Sequence, residues 1–165
     1  MAAQDPRTKF KTTDYEKQEQ EVPGIQAKMS PQPDCGDDSY HGHHRLDGFK
    51  ILVTGGDSAI GRAAAIAYAK EGADVAINYL PSEQQDADDV KQIIENVGQK
   101  AILIPGDIRD EQFNYDMVEE AYQQLGGLDN VTLVAGHQQY HDKLEEFDTQ
   151  SFKETFETNV YPVFW

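Results

Sequence analysis

The sequence predicts an α/β fold: a doubly wound parallel sheet in the order 3-2-1-4 with right-handed crossovers. Three observations predict it. From residue 49 onward, apolar runs of four to six residues alternate with longer amphipathic stretches. The runs are apolar throughout, as strands covered on both faces are, whereas half-exposed strands alternate. A glycine-bearing turn joins the first run directly to the first helical stretch.

The elements follow in order. KILVTGG is a buried strand ending in glycine punctuation. Ala59 to Lys70 is an alanine-rich helix with Ile60, Ala63, Ala64 and Ala67 on one face, and Gly72 marks its end. Asp74 to Leu80 is the second strand. Ser82 to Val97 is a helix, with Ser82 as N-cap and Gly98 as stop. Lys100 to Pro105 is the third strand, and Asp110 to Leu125 a helix closed by Gly126-Gly127. Asn130 to Ala135 is the fourth strand. Asp148 or Thr149 caps a last helix through Phe152, Phe156 and Val160.

Length and charge limit what such a fold does. At 165 residues the chain supports one domain. Thirty acidic residues against 14 basic ones give a net charge of −16. Phosphate backbones and anionic headgroups repel such a chain, so nucleic-acid and membrane-surface partners are not expected. No apolar run approaches the roughly 18 residues that span a bilayer, and the charged start MAAQDPRTKFK is no signal peptide. With Cys35 as the one cysteine, no intrachain disulfide forms, which fits a reducing cytoplasm.

Composition divides the chain near residue 48. In residues 1–48, 12 are apolar, against 51 of the 117 residues in 49–165. The first segment is therefore expected to be a polar, extended arm, and residues 49–165 the folded domain. The arm carries six basic and nine acidic residues, so most of the acidity belongs to the domain. His41, His43 and His44 match no strong metal-ligand spacing, so a solvated arm is expected and metal is not. His137 and His141 are expected in exposed loops. The carboxylate clusters Asp86-Asp88-Asp89 and Glu145-Glu146 read as solvated charge.

The chemistry-bearing stretch is Thr54-Gly55-Gly56-Asp57-Ser58-Ala59-Ile60-Gly61, between the first strand and the first helix. A pyrophosphate needs backbone N–H groups at a helix N-terminus and little side chain in the way. Glycine-rich turns are common, but one placed inside a βαβ unit points to nucleotide binding.

TGGDSAIGR resembles the TGxxxGIG loop of the short-chain dehydrogenases/reductases, whose domain is a Rossmann fold. Gly106-Asp107-Ile108, Val134-Ala135-Gly136 and Thr158-Asn159-Val160 follow in the family's order, and PGIQAKMSPQPDCG is similar to the arm of a bacterial, glucose-dehydrogenase-like subgroup. The resemblance implies an oxidoreductase that passes hydride between NAD or NADP and a small alcohol or carbonyl compound. It implies a homo-oligomer, a tetramer, in complete relatives. By position, Gly55 and Gly61 match the loop glycines and the backbone around Ile60 would lie on the pyrophosphate, with Thr54, Asp57 and Ser58 in the same cofactor-binding loop. Asp107 would bind the adenine amino group, with the Ile108 backbone beside it, and Ala135 and Gly136 would flank the nicotinamide-side ribose. Asn159 would hold a water of the proton relay.

Three departures modify these expectations. Ala59 stands where the family has its middle loop glycine, which predicts weaker or slightly displaced binding. Leu133-Val134 replaces a pair of asparagines. No tyrosine of the sequence has a lysine four residues on; the resemblance places the family's serine and its Y-x-x-x-K pair beyond the asparagine helix, and they are missing. The chain is therefore expected to be the cofactor-binding half, ending after the fourth strand and part of the next helix. A non-catalytic dinucleotide-binding module and an inert truncated product are the alternatives. Choice between NAD and NADP stays open: Asn78 and Tyr79, at the end of the second strand, are neither acid nor base. An inward-pointing Asp57 would oppose a phosphate and Arg62 would favour one.

Overall fold

The computed structural model describes Asp5, Arg7 and residues 17–165. Most of the charged start and Tyr15 lie outside the described residues. Four strands, β1 (Lys50–Thr54), β2 (Asp74–Tyr79), β3 (Ala101–Pro105) and β4 (Asn130–Leu133), form one parallel sheet in the order β3-β2-β1-β4. Registers run Lys50–Asp74 to Thr54–Asn78, Val75–Ala101 to Tyr79–Pro105, and Ile51–Asn130 to Thr54–Leu133. All four strands therefore end at one edge, where the turn after β1 and the loop after β4 diverge from adjacent strands.

Strand alternation builds two cores. Ile51, Val53, Val75, Ile77 and Tyr79 pack with helices α1 (Ala59–Lys70) and α2 (Gln84–Asn96). The intervening Leu52, Ala76, Ile102 and Ile104 pack with α3 (Glu111–Leu125). Helix α4 (Thr149–Asn159) and a short α5 (Tyr161–Phe164) follow β4. Edge strand β4 is only partly covered: Val131 is 40% and Leu133 48% exposed. Its continuous apolar run is thus not matched by burial on both faces.

Three local readings are corrected: the buried face of α1, the cap of α2, and Asp86, which is 1% exposed rather than solvated because its carboxylate accepts from the Gln26 and Ala27 amides. On α1 the buried residues are Gly61, Arg62, Ala65, Ile66 and Ala69, while Ile60 is 74% exposed. The helical period of the sequence is right and its phase is wrong. Alanines on every face carry no phase, which is set by the seating of Gly61 under the preceding turn. Ser82 caps nothing. It lies in a single 3-10 turn, Pro81–Glu83, where the Glu83 carboxylate accepts from the Leu80 N–H at 3.1 Å. Proline at the start of that turn and the returning Glu83 side chain tighten the entry, so α2 proper begins at Gln84. Asp148, one of the two expected caps, caps α4 by accepting from Ser151 N (2.8 Å), and Asp110 caps α3 by accepting from Phe113 N (3.1 Å).

The described part of the arm lies along α1. Lys70 Nζ donates to the carbonyls of Gly36 (2.7 Å), Asp37 (2.5 Å) and Tyr40 (3.0 Å). Buried Glu71 accepts from the backbone of His43 (2.9 Å) and Arg45 (3.1 Å), from the Arg45 guanidinium and from the Tyr40 hydroxyl. These donors hold its carboxyl well below the usual carboxylate range.

Candidate functional site

A cleft of about 780 Å³ opens at the edge where the strands end. Gly55 and Asp57 to Ile60 line one wall, Asn78, Tyr79, Leu80 and Glu83 a second, and Asp107 to Arg109 a third. Ala135, Gly136 and His137 close the far side. A volume of this size suits a bound small molecule.

The turn after β1 is built for close approach. Gly55 has φ +62°, and a Cβ there would come within 3.0 Å of Ala135 Cα. Gly61 is tighter: its Cβ would lie 1.8 Å from the Gly55 carbonyl oxygen. Helix α1 therefore starts directly beneath the turn, and within the helix the N–H groups of Ile60 and Gly61 have no acceptor. Ile60 lines the cleft, so the positive end of the helix dipole borders it. Thr54, 3% exposed, lies below the cleft and joins its two sides. Its Oγ1 accepts from Val134 N (3.1 Å) and Ala135 N (3.2 Å).

Ala59 has φ +45°. The left-handed region costs an alanine about 1–2 kcal/mol relative to its ordinary conformations. Alanine at the family's middle loop glycine thus keeps a positive φ, and it stands at the cleft wall.

Charge in the cleft is mostly acidic. Asp57 is 1% exposed, and its Oδ2 has no hydrogen-bond partner among the described residues. Burial pushes its carboxyl above the usual range, reinforced by Asp86. Burial and Asp57 likewise raise Glu83. Asp107 is held below the ordinary range by Arg109, whose guanidinium meets it at 2.5 Å. Arg62 takes no part in the lining and pairs with Asp37 of the arm at 3.1 Å.

The remaining predicted residues divide into wall and brace. Ile108 is buried at the floor, and its carbonyl accepts from Asn114 Nδ2 at 2.6 Å. Asn78, 2% exposed, donates through Nδ2 to the carbonyls of Ile104 (3.2 Å) and Gly106 (3.1 Å), tying β2 to the end of β3. Tyr79 is buried, and its hydroxyl donates to Gln84 at 2.7 Å. Asn159 braces the loop after β4: its Oδ1 accepts from His137 N (2.8 Å) and its Nδ2 donates to His137 O (2.7 Å). His141 packs edge-on against Phe147, with ring centroids 5.3 Å apart. Sequence reasoning missed Val22 to Gly24, Glu83 and Arg109 as cleft residues. Arg109, two residues after Asp107, carried a usable signal, whereas the arm residues reach the cleft only through tertiary packing.

An open doubly wound sheet with a cleft at its carboxyl edge and a glycine turn entering a helix defines a Rossmann-type domain. The chain belongs to the short-chain dehydrogenase family, whose model matches residues 50–165. It is 56% identical over 161 residues to the uncharacterised oxidoreductase YghA of Escherichia coli, covering 98% of this chain and 55% of YghA. It is 55% identical to the uncharacterised oxidoreductase YhxD of Bacillus subtilis, covering 97% and 54%. Among solved structures, a short-chain dehydrogenase of Burkholderia cenocepacia in complex with NADP superposes with a TM-score of 0.67 at 37% identity, over 73% of this chain and 48% of that one. The chain spans about half the length of the curated relatives it matches. Among the described residues no helix is long and apolar enough to cross a membrane, and no group of His, Cys, Asp and Glu is placed to hold a metal ion.

Proposed function

We propose that the chain is the dinucleotide-binding half of an NAD(P)-dependent oxidoreductase of the short-chain type. The observation that carries this is the cleft itself, with the start of α1 on one wall and the loop after β4 on the other. The likeness to an NADP-bound short-chain dehydrogenase supports it. In this reading the N–H groups of Ile60 and Gly61 meet the pyrophosphate, since the acidic walls leave that task to the backbone. Thr54, Gly55, Asp57 and Ser58 shape the turn around it, Asn78 and Tyr79 the ribose side. Asp107 and the Ile108 backbone receive the adenine, and Ala135 and Gly136 flank the nicotinamide-side ribose. Asn159 holds the His137 loop and, with it, the relay position.

The whole protein would transfer hydride between the nicotinamide and a small alcohol or carbonyl compound, as a homo-oligomer in the cytoplasm. These 165 residues include no tyrosine with a lysine four positions on. Hydride transfer is therefore expected to be absent from the chain by itself, and measurable turnover would overturn this assignment. The same absence favours a second reading, a non-catalytic dinucleotide-binding module. Coding sequence beyond Trp165 that supplies the pair supports the enzyme; coding sequence that lacks it supports the module.

Titration calorimetry with NAD+ and with NADP+ tests the binding itself. Saturable binding is expected, with stabilisation of about 2.7 kcal/mol when the dinucleotide stands at a hundred times its Kd. Absence of both heat and a melting shift would sink the proposal.

A further inference from the structure

The arm reaches the cleft and the turn that walls it. Val22, Pro23 and Gly24 line the same cleft as Ser58, Ala59 and Leu80. Just beyond them, Gln26 is 5% exposed although its side chain is an amide. Its Oε1 accepts from the Ala59 N–H at 2.6 Å. Its Nε2 lies 3.5 Å from Cys35 Sγ, and the Cys35 thiol in turn lies 3.8 Å from the Ala59 carbonyl oxygen. Both polar groups of the Ala59 backbone are therefore held by arm side chains. The arm is itself pinned at this point from α2: Asp86, 1% exposed, accepts from Gln26 N at 2.7 Å and Ala27 N at 3.2 Å.

These contacts converge on the one turn residue whose conformation suits glycine and whose identity is alanine, with φ +45°. A residue persists in that region only where its surroundings over-determine it. Loop glycines would need no such support. With the Ala59 N–H engaged by Gln26, the next amides of the helix, Ile60 and Gly61, are left to face an anion.

We infer that the arm is a working part of the dinucleotide site: Gln26, assisted by Cys35, is a positioning residue that clamps the phosphate-binding turn at Ala59, while Val22 to Gly24 wall the cleft beside it. This rests on the dinucleotide reading above. Anchoring of the arm alone is a separate role, already supplied at the other end of α1 by Lys70 and Glu71. The clamp makes a different prediction: its effect depends on the residue at position 59.

The experiment is a double-mutant cycle on the full 165-residue chain with Q26A, A59G and Q26A/A59G. NAD+ and NADP+ affinities are read by calorimetry, and hydrogen exchange of the Ala59 to Gly61 amides by mass spectrometry. If Q26A frees the turn, the competent conformation falls to a minor population and Kd rises by about tenfold, with faster exchange at the turn. In the A59G background the same substitution is expected to cost less than about threefold, because glycine holds the turn unaided. Equal losses in both backgrounds, or no loss in either, would overturn the clamp. A wild-type chain that binds neither dinucleotide overturns the functional reading and this inference together; a wild-type chain that binds, with Q26A binding equally well, overturns this inference alone. Should Q26A not fold, C35A, which removes the weaker arm of the clamp, enters the same cycle with the same criteria.

Discussion

Replacing Gly61 with alanine tests the geometry on which the site depends. The added Cβ would lie 1.8 Å from the Gly55 carbonyl oxygen and 2.7 Å from its carbon, both backbone atoms that no side-chain rotation can move. Helix α1 must therefore shift away from the turn by about 1.2 Å to reach even a tight contact, a case of overpacking that costs about 3 kcal/mol. For a chain of this size that lowers Tm by roughly 6–12 °C. The same shift carries the Ile60 and Gly61 amides away from the anion position, and losing one hydrogen bond to a charged group costs affinity about tenfold to a hundredfold. Circular dichroism melts and dinucleotide titrations of G61A measure both. A variant that melts within about 2 °C of the parent and binds within about twofold would refute the seating of α1 beneath the turn.

Three further outcomes are expected. Asn78→Ala strands the buried carbonyl of Ile104 and the half-buried one of Gly106, and should lower stability in urea by about 2 kcal/mol; an unchanged midpoint would show that the brace is idle. Asp57→Asn removes a buried carboxylate whose pKa is raised by burial, so the native state binds its proton more tightly than the unfolded state. The wild type thus loses stability as pH rises through the native value. D57N should accordingly be the more stable protein at neutral pH, with the advantage gone below the ordinary value of 3.8. Its dinucleotide affinity should also rise by about five- to tenfold, and a fall would place Asp57 among the attractive contacts. Glu71→Gln acts in the opposite sense. The lowered Glu71 pKa contributes stability above the ordinary value of 4.5 that is lost as pH falls toward the native one. E71Q should therefore melt lower at neutral pH with a flatter acid limb, and parallel pH profiles would refute the anchoring role.

Much of the fold was legible because strand burial and helix capping are local signals. Of the two caps offered for the last helix, Asp148 and Thr149, it is Asp148 that accepts from a backbone amide, and Asp110, read only as the start of its helix, caps α3 in the same way. Ser82 sent the same signal and was overridden by Pro81 and by Glu83 returning to Leu80 N. On α1, alanine on every side left only a steric fact, the contact of Gly61 with Gly55, to choose the buried face. Asn78 read as a neutral residue at a selectivity position, and its amide is a brace between two strand ends. No pattern in one dimension distinguishes those roles, because both place a polar side chain at the end of a strand.

By itself the sequence determined the strand order and the position of the glycine turn, since both follow from the alternation of apolar runs and turns along the chain, and its motifs carried the resemblance to the family. Only the tertiary structure decided what surrounds the turn. Gln26 and Ala59 are far apart in sequence and 2.6 Å apart in space. That contact exists because Asp86 on α2 and Lys70 and Glu71 at the end of α1 hold the arm in place. A polar segment with little apolar surface of its own is held by charges on the domain, buried Asp86 and Glu71 and half-buried Lys70, which only the tertiary structure brings against it.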